Sequence, residues 1–168
     1  RKYGAPTQWL VDAGMAYYSF NVGAFELPFP IHENLRLYKL FFVDSGLMCA
    51  MMLNGIQAQV LSGDIDVNEG ALTENYVAGE FAKHGISLNY YDRKSKHELD
   101  FIFPEKNKIS IVEVKSGKDY KQHASLDMAH SLFADKINRR IVMSGNNLEI
   151  EDGCIYLPFY MSMFLGGE

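Results

Sequence analysis

Cysteine is scarce in this chain: Cys49 and Cys154 are the two among 168 residues, and they form no CxxC pair. A disulfide framework and a thiolate zinc site are therefore not expected, and a reducing cytoplasm is the expected setting. No apolar run reaches the ~18 residues of a membrane span and no signal peptide is apparent, so we expect no membrane partner. The phosphate-binding motif GxxxxGK followed by Ser or Thr is also missing, so ATP binding is not assigned to this sequence.

A surplus of basic residues is lacking too, since 16 Lys and Arg face 21 Asp and Glu for a formal net charge of −5. This balance argues against a protein that holds nucleic acid over its whole surface, although a local basic face stays open. Hydrophobic residues make up 48% of the chain, which is enough to bury a core in a globular protein. The sequence begins at Arg1 without a methionine, so we expect it to be a piece of a longer protein.

The hydrophobic pattern divides the chain near residue 62. Residues 1–62 predict a small α+β segment of a helix, two strands and a second helix, which is typical of the end of a winged-helix unit. Residues 56–69 carry few large apolar side chains and are interpreted as a connector. Residues 63–168 predict an α/β unit in the order α-β-β-β-α-β. Its expected elements are a helix at 69–84, strands at 87–92, 99–103 and 109–115, a helix at 120–137, strands at 139–144 and 153–158, and a short helix at 159–165.

Two acidic motifs lie on the hairpin that this pattern predicts. The stretch Glu98-Leu99-Asp100-Phe101-Ile102-Phe103 places an acid on one apolar strand, and Ile109 through Gly117 carries an acid-x-base triplet on the next. Antiparallel pairing across the intervening turn would bring Asp100 opposite residue 112 or 113, next to Glu113. Because strand side chains alternate between faces, Glu113 and Lys115 should point the same way.

Carboxylates this close repel each other unless a cation lies between them, which makes the hairpin a candidate metal site. Oxygen ligands of this kind suit Mg²⁺ or Mn²⁺. Lys115 could orient an attacking water or offset charge on a phosphate. A further carboxylate should come from the preceding helix, with Glu74 the first choice and Glu80 the second. The alternative is structural: Glu113 and Lys115 form a solvated ion pair at the end of the hairpin, and Glu74 decorates a helix face.

Basic residues cluster on both sides of the acidic hairpin. Arg93, Lys94, Lys96 and Lys118 could follow a nucleic-acid backbone that passes the acidic motifs. A charged turn is also commonly just a solvated one, and this interpretation stays open beside the first.

Glu74, Asp100 and the Glu113-x-Lys115 triplet resemble the PD-(D/E)xK restriction-endonuclease-like superfamily, with Leu99 in the position of the motif's proline. The likeness extends over nearly the whole chain. A module of unknown function at the C terminus of many prokaryotic AAA+ ATPases resembles the stretches Trp9 through Gly14, Tyr38 through Leu47, Gly70 through Glu80, Glu98 through Phe101 and Glu113 through Gly117.

This resemblance implies a restriction-endonuclease-like mixed sheet flanked by helices. The winged-helix-like segment would precede this sheet. A P-loop ATPase domain would lie further upstream in the same protein and would be the partner of this chain. The implied activity is that of a Mg²⁺- or Mn²⁺-dependent phosphodiesterase acting on DNA, in which Asp100, Glu113 and the Val114 carbonyl hold the metal. Lys115 would position the attacking water, and Glu74 would complete the metal shell or bind a second ion.

Other functions stay open at this stage. A nuclease fold without catalysis could serve the ATPase in recognition or assembly. DNA binding by residues 1–62 is a further alternative, and self-association of the chain is open as well.

Overall fold

The computed structural model describes residues 4–52, 69–93 and 97–166. Its α-helices are α1 (Gly4–Asp12), α2 (Ser45–Met51), α3 (Glu69–Lys83) and α4 (Ala124–Phe133). Its strands are β1 (Ala16–Val22), β2 (Glu33–Phe42), β3 (Asn89–Asp92), β4 (Glu98–Glu105), β5 (Lys108–Lys115), β6 (Ile137–Ser144), β7 (Glu149–Glu151) and β8 (Cys154–Pro158). Short 3-10 helices span Phe29–Ile31 and Phe159–Phe164. Among the described helices, none combines the length and the apolar character that crossing a lipid bilayer requires.

The described strands form one eight-stranded sheet in the order β2-β1-β3-β4-β5-β6-β8-β7. β1 pairs with β3, β5 with β6 and β6 with β8 in parallel, and the other neighbours are antiparallel. The mixed α/β class expected from the sequence is therefore confirmed, whereas the restriction-endonuclease-like fold and the winged-helix-like segment stay predictions.

The two strands of the first predicted segment extend the same sheet as the rest of the described residues. β1 joins β3 through the parallel pairs of Phe20 with Asn89 and Asn21 with Tyr90, and β2 lies outside β1 as an edge strand. The proposed boundary near residue 62 lies outside the described residues, so the division into two domains stays a prediction.

Hydrophobic clusters cover both faces of the sheet. Alternation along β5 explains the division, because Ile111 packs on one face and Val112 on the other. Leu126 of α4 packs in the first cluster, and Phe81 of α3 packs in the second, edge-on against Phe101 with ring centroids 5.3 Å apart. Helix α3 is thereby fixed over the sheet, next to the strands that carry the acidic motifs.

The sequence predictions were wrong for two elements: one helix was given the wrong bounds, and one strand was missed. The helix expected at 120–137 spans Ala124–Phe133, because β6 already begins at Ile137 and the residues between must reverse the chain. The sequence pattern also fails to predict β7, which pairs with β8 across a tight turn. Asp152 and Gly153 make that turn with φ angles of 48° and 72°, a left-handed conformation that suits glycine best.

Candidate functional site

The first acidic motif lies at a β-bulge in β4. Asp100 and Phe101 together stand opposite the single residue Tyr90 of β3, so the register between these strands shifts by one residue. The extra residue interrupts the alternation of faces, because Leu99 packs in the cluster under α4 and Phe101 in the cluster under α3. A β-bulge commonly changes the direction in which a side chain points, and the side chain affected here is that of Asp100.

The Asp100 carboxylate bonds to β5 where the hairpin ladder stops. The paired residues of the hairpin end with Phe101 opposite Val112. One residue earlier on β4, Asp100 Oδ2 accepts a hydrogen bond of 2.8 Å from the Val114 N–H. This bond holds Asp100 beside Glu113.

Glu113 is nearly buried and only partly satisfied. Its side chain is 9% exposed, and its Oε1 lies 2.6 Å from Lys115 Nζ. Within the described part of the chain, Glu113 Oε2 has no hydrogen-bond partner. A buried carboxylate oxygen is costly unless a donor or a cation satisfies it, so this atom points to a ligand.

A lysine from the first predicted segment reaches the same place. Lys39 of β2 holds its Nζ 2.6 Å from Glu74 Oε1 and 3.7 Å from Asp100 Oδ1, and it also pairs with Glu98. The ammonium group lies 5.2 Å from the centroid of the Tyr90 ring. We use the name acidic site for Lys39, Glu74, Glu98, Asp100, Glu113 and Lys115.

The surroundings of Asp100 change the pKa of its carboxyl group. The pKa of Asp100 rises from 3.8 to about 7, first because of burial and then because of the negative charge of Glu74. Glu113 contributes to the rise, whereas Lys39 and the Val114 N–H lower the pKa. Burial lowers the pKa of Lys39, but Glu74 and Asp100 outweigh that effect and the net change is upward. The ammonium of Lys39 thus compensates the crowded acids only in part.

The donor set of the acidic site fits a divalent ion through two carboxylates. No group of three or more acidic, histidine or cysteine side chains stands ready to hold a metal within residues 4–52, 69–93 and 97–166. Asp100 and Glu113 are nevertheless adjacent, and Mg²⁺ commonly takes one or two carboxylates and completes its shell with water. The third candidate, Glu74, is engaged by Lys39.

Most of the metal-site residues expected from the sequence lie in one cluster. Glu74 and Glu113 both act on the pKa of Asp100, and Lys115 contacts Glu113. Glu80, the second choice on the helix, lies apart from them and pairs with Lys83 at 2.7 Å.

The expected nucleic-acid contacts are placed only in part. Arg93 and Lys118 are exposed to solvent. Lys94 and Lys96 lie outside the described residues. A basic face beside the acidic site therefore stays a prediction.

Sequence reasoning misses Lys39 and gives Glu98 no role. The two residues lie on different strands, and Glu74 follows Lys39 by 35 positions, so no local pattern connects them. One signal could have found Lys39: it is a lone charge in the apolar and aromatic stretch 38–42, and such a charge needs a partner when the strand is buried.

These features define a mixed α/β structure in which the two central hairpin strands, together with α3 and β2, supply a cluster of paired acids and lysines. Residues 69–161 match the family described as "Domain of unknown function (DUF4143)". Since the match spans more than half of the 168 residues, the chain belongs to this family. No curated protein and no solved structure matches the chain. Membership of a family of unknown function agrees with the resemblance seen in the sequence, whereas the attached ATPase and the nuclease-type fold stay predictions.

Proposed function

We propose that the chain is a divalent-metal-dependent phosphodiesterase acting on DNA, with the acidic site as its catalytic centre. The supporting observation is a pair of neighbouring, largely buried carboxylates: Asp100 has a raised pKa, and Glu113 has an oxygen without a partner among the described residues. A cation would stabilise acids in this state, and strongly perturbed acids are common in catalytic sites. The resemblance of these same residues to a nuclease motif supports phosphodiester chemistry in particular.

Each member of the acidic site has a role in this proposal. Asp100, Glu113 and the Val114 carbonyl would hold Mg²⁺ or Mn²⁺, which supplies Lewis acidity to the phosphodiester and lowers the pKa of the attacking water. Lys115 is held by Glu113 and is one-third exposed, so its charge can position water and offset negative charge on the phosphate. Glu74 would complete the set of carboxylates when Lys39 releases it.

DNA and an ATPase domain are the proposed partners. Exposed Arg93 and Lys118, together with Lys94 and Lys96, would contact the phosphate backbone next to the cleaved bond. The ATPase domain would belong to the same protein and precede this chain, and self-association would be a property of that larger assembly.

A cleavage assay tests the proposed activity. Single-stranded and double-stranded DNA are incubated with the chain and Mg²⁺ or Mn²⁺, and EDTA provides the blank. Asp100→Asn and Lys115→Met should each lower the rate by roughly 100-fold or more, with circular dichroism showing an intact fold. Lys83→Met is the matched control, because it removes an exposed lysine that is paired with Glu80 away from the acidic site. Wild-type rates in both Asp100→Asn and Lys115→Met would reject the assignment.

The position of Lys39 favours a second function, that of a recognition or assembly module without catalysis. In this case Lys39 is the permanent counter-ion of Glu74 and Asp100, and the acidic site is a structural ion-pair network. Titration calorimetry with Mn²⁺ separates the two functions. Heat of dilution alone supports the module, whereas binding heat that Asp100→Asn abolishes supports the metal centre.

A further inference from the structure

Lys39 enters the acidic site from outside the family match. It lies on β2, whereas its carboxylate partners Glu74, Glu98 and Asp100 all lie within residues 69–161. Its ammonium contacts Glu74 and Glu98 and lies 3.7 Å from Asp100, so one cation holds together acids from α3 and β4. Lys39 therefore occupies a position that a bound cation would need to reach the same carboxylates.

The two lysines leave the acidic site short of positive charge. Four carboxylates face two ammonium groups, so the fully ionised site carries an excess of two negative charges. The shortage of positive charge is located at Glu113. Its side chain is 9% exposed, and its Oε2 lacks a hydrogen-bond partner among the described residues. A further cation next to Asp100 and Glu113 would relieve it.

We propose that Lys39 is a built-in counter-ion that competes with a divalent cation for Asp100 and Glu74, so that metal binding moves the Lys39 ammonium away from these two carboxylates and toward Glu98. This inference rests on the proposed function, because it takes the acidic site as the metal centre. The oxygens of Asp100 and Glu74 that would bind the metal are the ones that hold the Lys39 ammonium, and the two cations also repel each other, so they compete for these oxygens.

Lys39 can move away from Asp100 and Glu74 while it stays paired with Glu98. A lysine side chain is a flexible four-carbon stem with a point charge at its end, so it can change position without a change in the backbone. Glu98, its partner on the solvent side, is 45% exposed, compared with 22% for Glu74 and 21% for Asp100. Glu98 can therefore keep the ammonium at the surface while Glu74 and Asp100 turn to the metal.

Lysine labelling of the wild-type chain tests this displacement directly. The chain is treated briefly with an acetylating reagent, with and without saturating Mn²⁺, and labelling is measured for each lysine by mass spectrometry. Labelling of Lys39 should rise several-fold with Mn²⁺. Lys121, which pairs with Glu149 at 2.8 Å and Glu151 at 2.7 Å, is the internal control and should not change. Binding of Mn²⁺ in calorimetry without a change at Lys39 would overturn the inference and leave the metal centre intact.

A substitution provides the second test. Lys39→Met removes the competing charge and keeps much of the stem, so its affinity for Mn²⁺ should be about tenfold higher than that of the wild type at about pH 8. Lys83→Met is the matched control and should bind like the wild type, and a thermal melt checks the fold of both variants. Equal affinity in Lys39→Met and wild type would overturn the competition.

The remaining outcomes separate the inference from the proposed function. Binding by Lys39→Met but not by the wild type would support the competition and reject metal-dependent activity of the natural chain. No binding by either protein would reject both.

Discussion

Replacing Asp100 by asparagine should stabilise the metal-free fold above neutral pH. The pKa of Asp100 is raised from 3.8 to about 7, chiefly by burial and by the charge of Glu74, so ionising this group costs more in the folded state than in the unfolded state. At about 1.4 kcal/mol per pKa unit the difference corresponds to roughly 4 kcal/mol. Asparagine is neutral and its Oδ1 can still accept from the Val114 N–H. We expect a gain of about 2 kcal/mol, because the amide is an imperfect copy of a protonated carboxyl and its new donors need acceptors.

The gain should depend on pH in a defined direction. The folded-state pKa of Asp100 lies above the unfolded value, so between about pH 4 and pH 7 the folded chain binds the proton that the unfolded chain has released. The stability from this group is fully present below pH 4 and is lost as the pH rises through about 7. Asp100→Asn lacks this loss, so its advantage over the wild type should be near zero at low pH and complete above neutrality.

Urea unfolding followed by circular dichroism, in the presence of EDTA, measures this difference at several pH values. Asp119→Asn is the matched control, because it makes the same change at an exposed position in a turn and should alter the stability by no more than about 0.5 kcal/mol. An Asp100→Asn variant that is no more stable than wild type at about pH 8 would refute the reasoning. A stability gap that does not change with pH would refute it as well.

Two further predictions concern how the first segment is attached and how α2 begins. Asn75 is buried, accepts a 2.7 Å hydrogen bond from the Phe42 N–H and donates one to the Phe42 carbonyl, so Asn75→Ala should lower the free energy of unfolding by about 2 kcal/mol in urea titration. Asn147 is exposed, and Asn147→Ala should leave the free energy of unfolding unchanged. Equal free energies of unfolding in the two variants would contradict this role of Asn75. The Asp44 side chain caps α2 by accepting from the N–H groups of Gly46 and Leu47, so Asp44→Ala should cost about 1 kcal/mol in the same assay, and Asp44→Asn should restore most of it if capping is the cause.

The elements of the hairpin and the position of its acids could be predicted from the sequence because the information is local. Alternating apolar residues define both strands, and the polar turn between Pro104 and Lys108 fixes the pairing, so Phe101 lies opposite Val112 as expected within one residue. The helix that carries Glu74 could be predicted for the same reason, since its apolar stripe and the glycine at position 85, just beyond its end, are features of the local sequence.

The bulge and the lysine could not be predicted because they depend on strands that are distant in sequence. The bulge at Asp100 arises from the pairing of β4 with β3, where two residues of β4 stand opposite the single residue Tyr90 of β3. The residues of β4 alone do not require this bulge. Lys39 meets Glu98 only because β1 joins β3 in parallel and carries β2 alongside. Pairing order of this kind is a tertiary property, which local periodicity does not encode.

The chemistry of the acidic site therefore depends on a residue that the family match does not contain. Residues 69–161 supply the four carboxylates and Lys115, while Lys39 comes from β2. Without Lys39, three of the carboxylates would lose the cation that they share, and the need for a metal or a proton at Asp100 would increase. The two proposed functions therefore differ in what they ask of Lys39. A recognition module needs Lys39 as a permanent counter-ion of Glu74 and Asp100, whereas a metal centre needs a Lys39 that a cation can displace, so the behaviour of this one side chain distinguishes the two proposals.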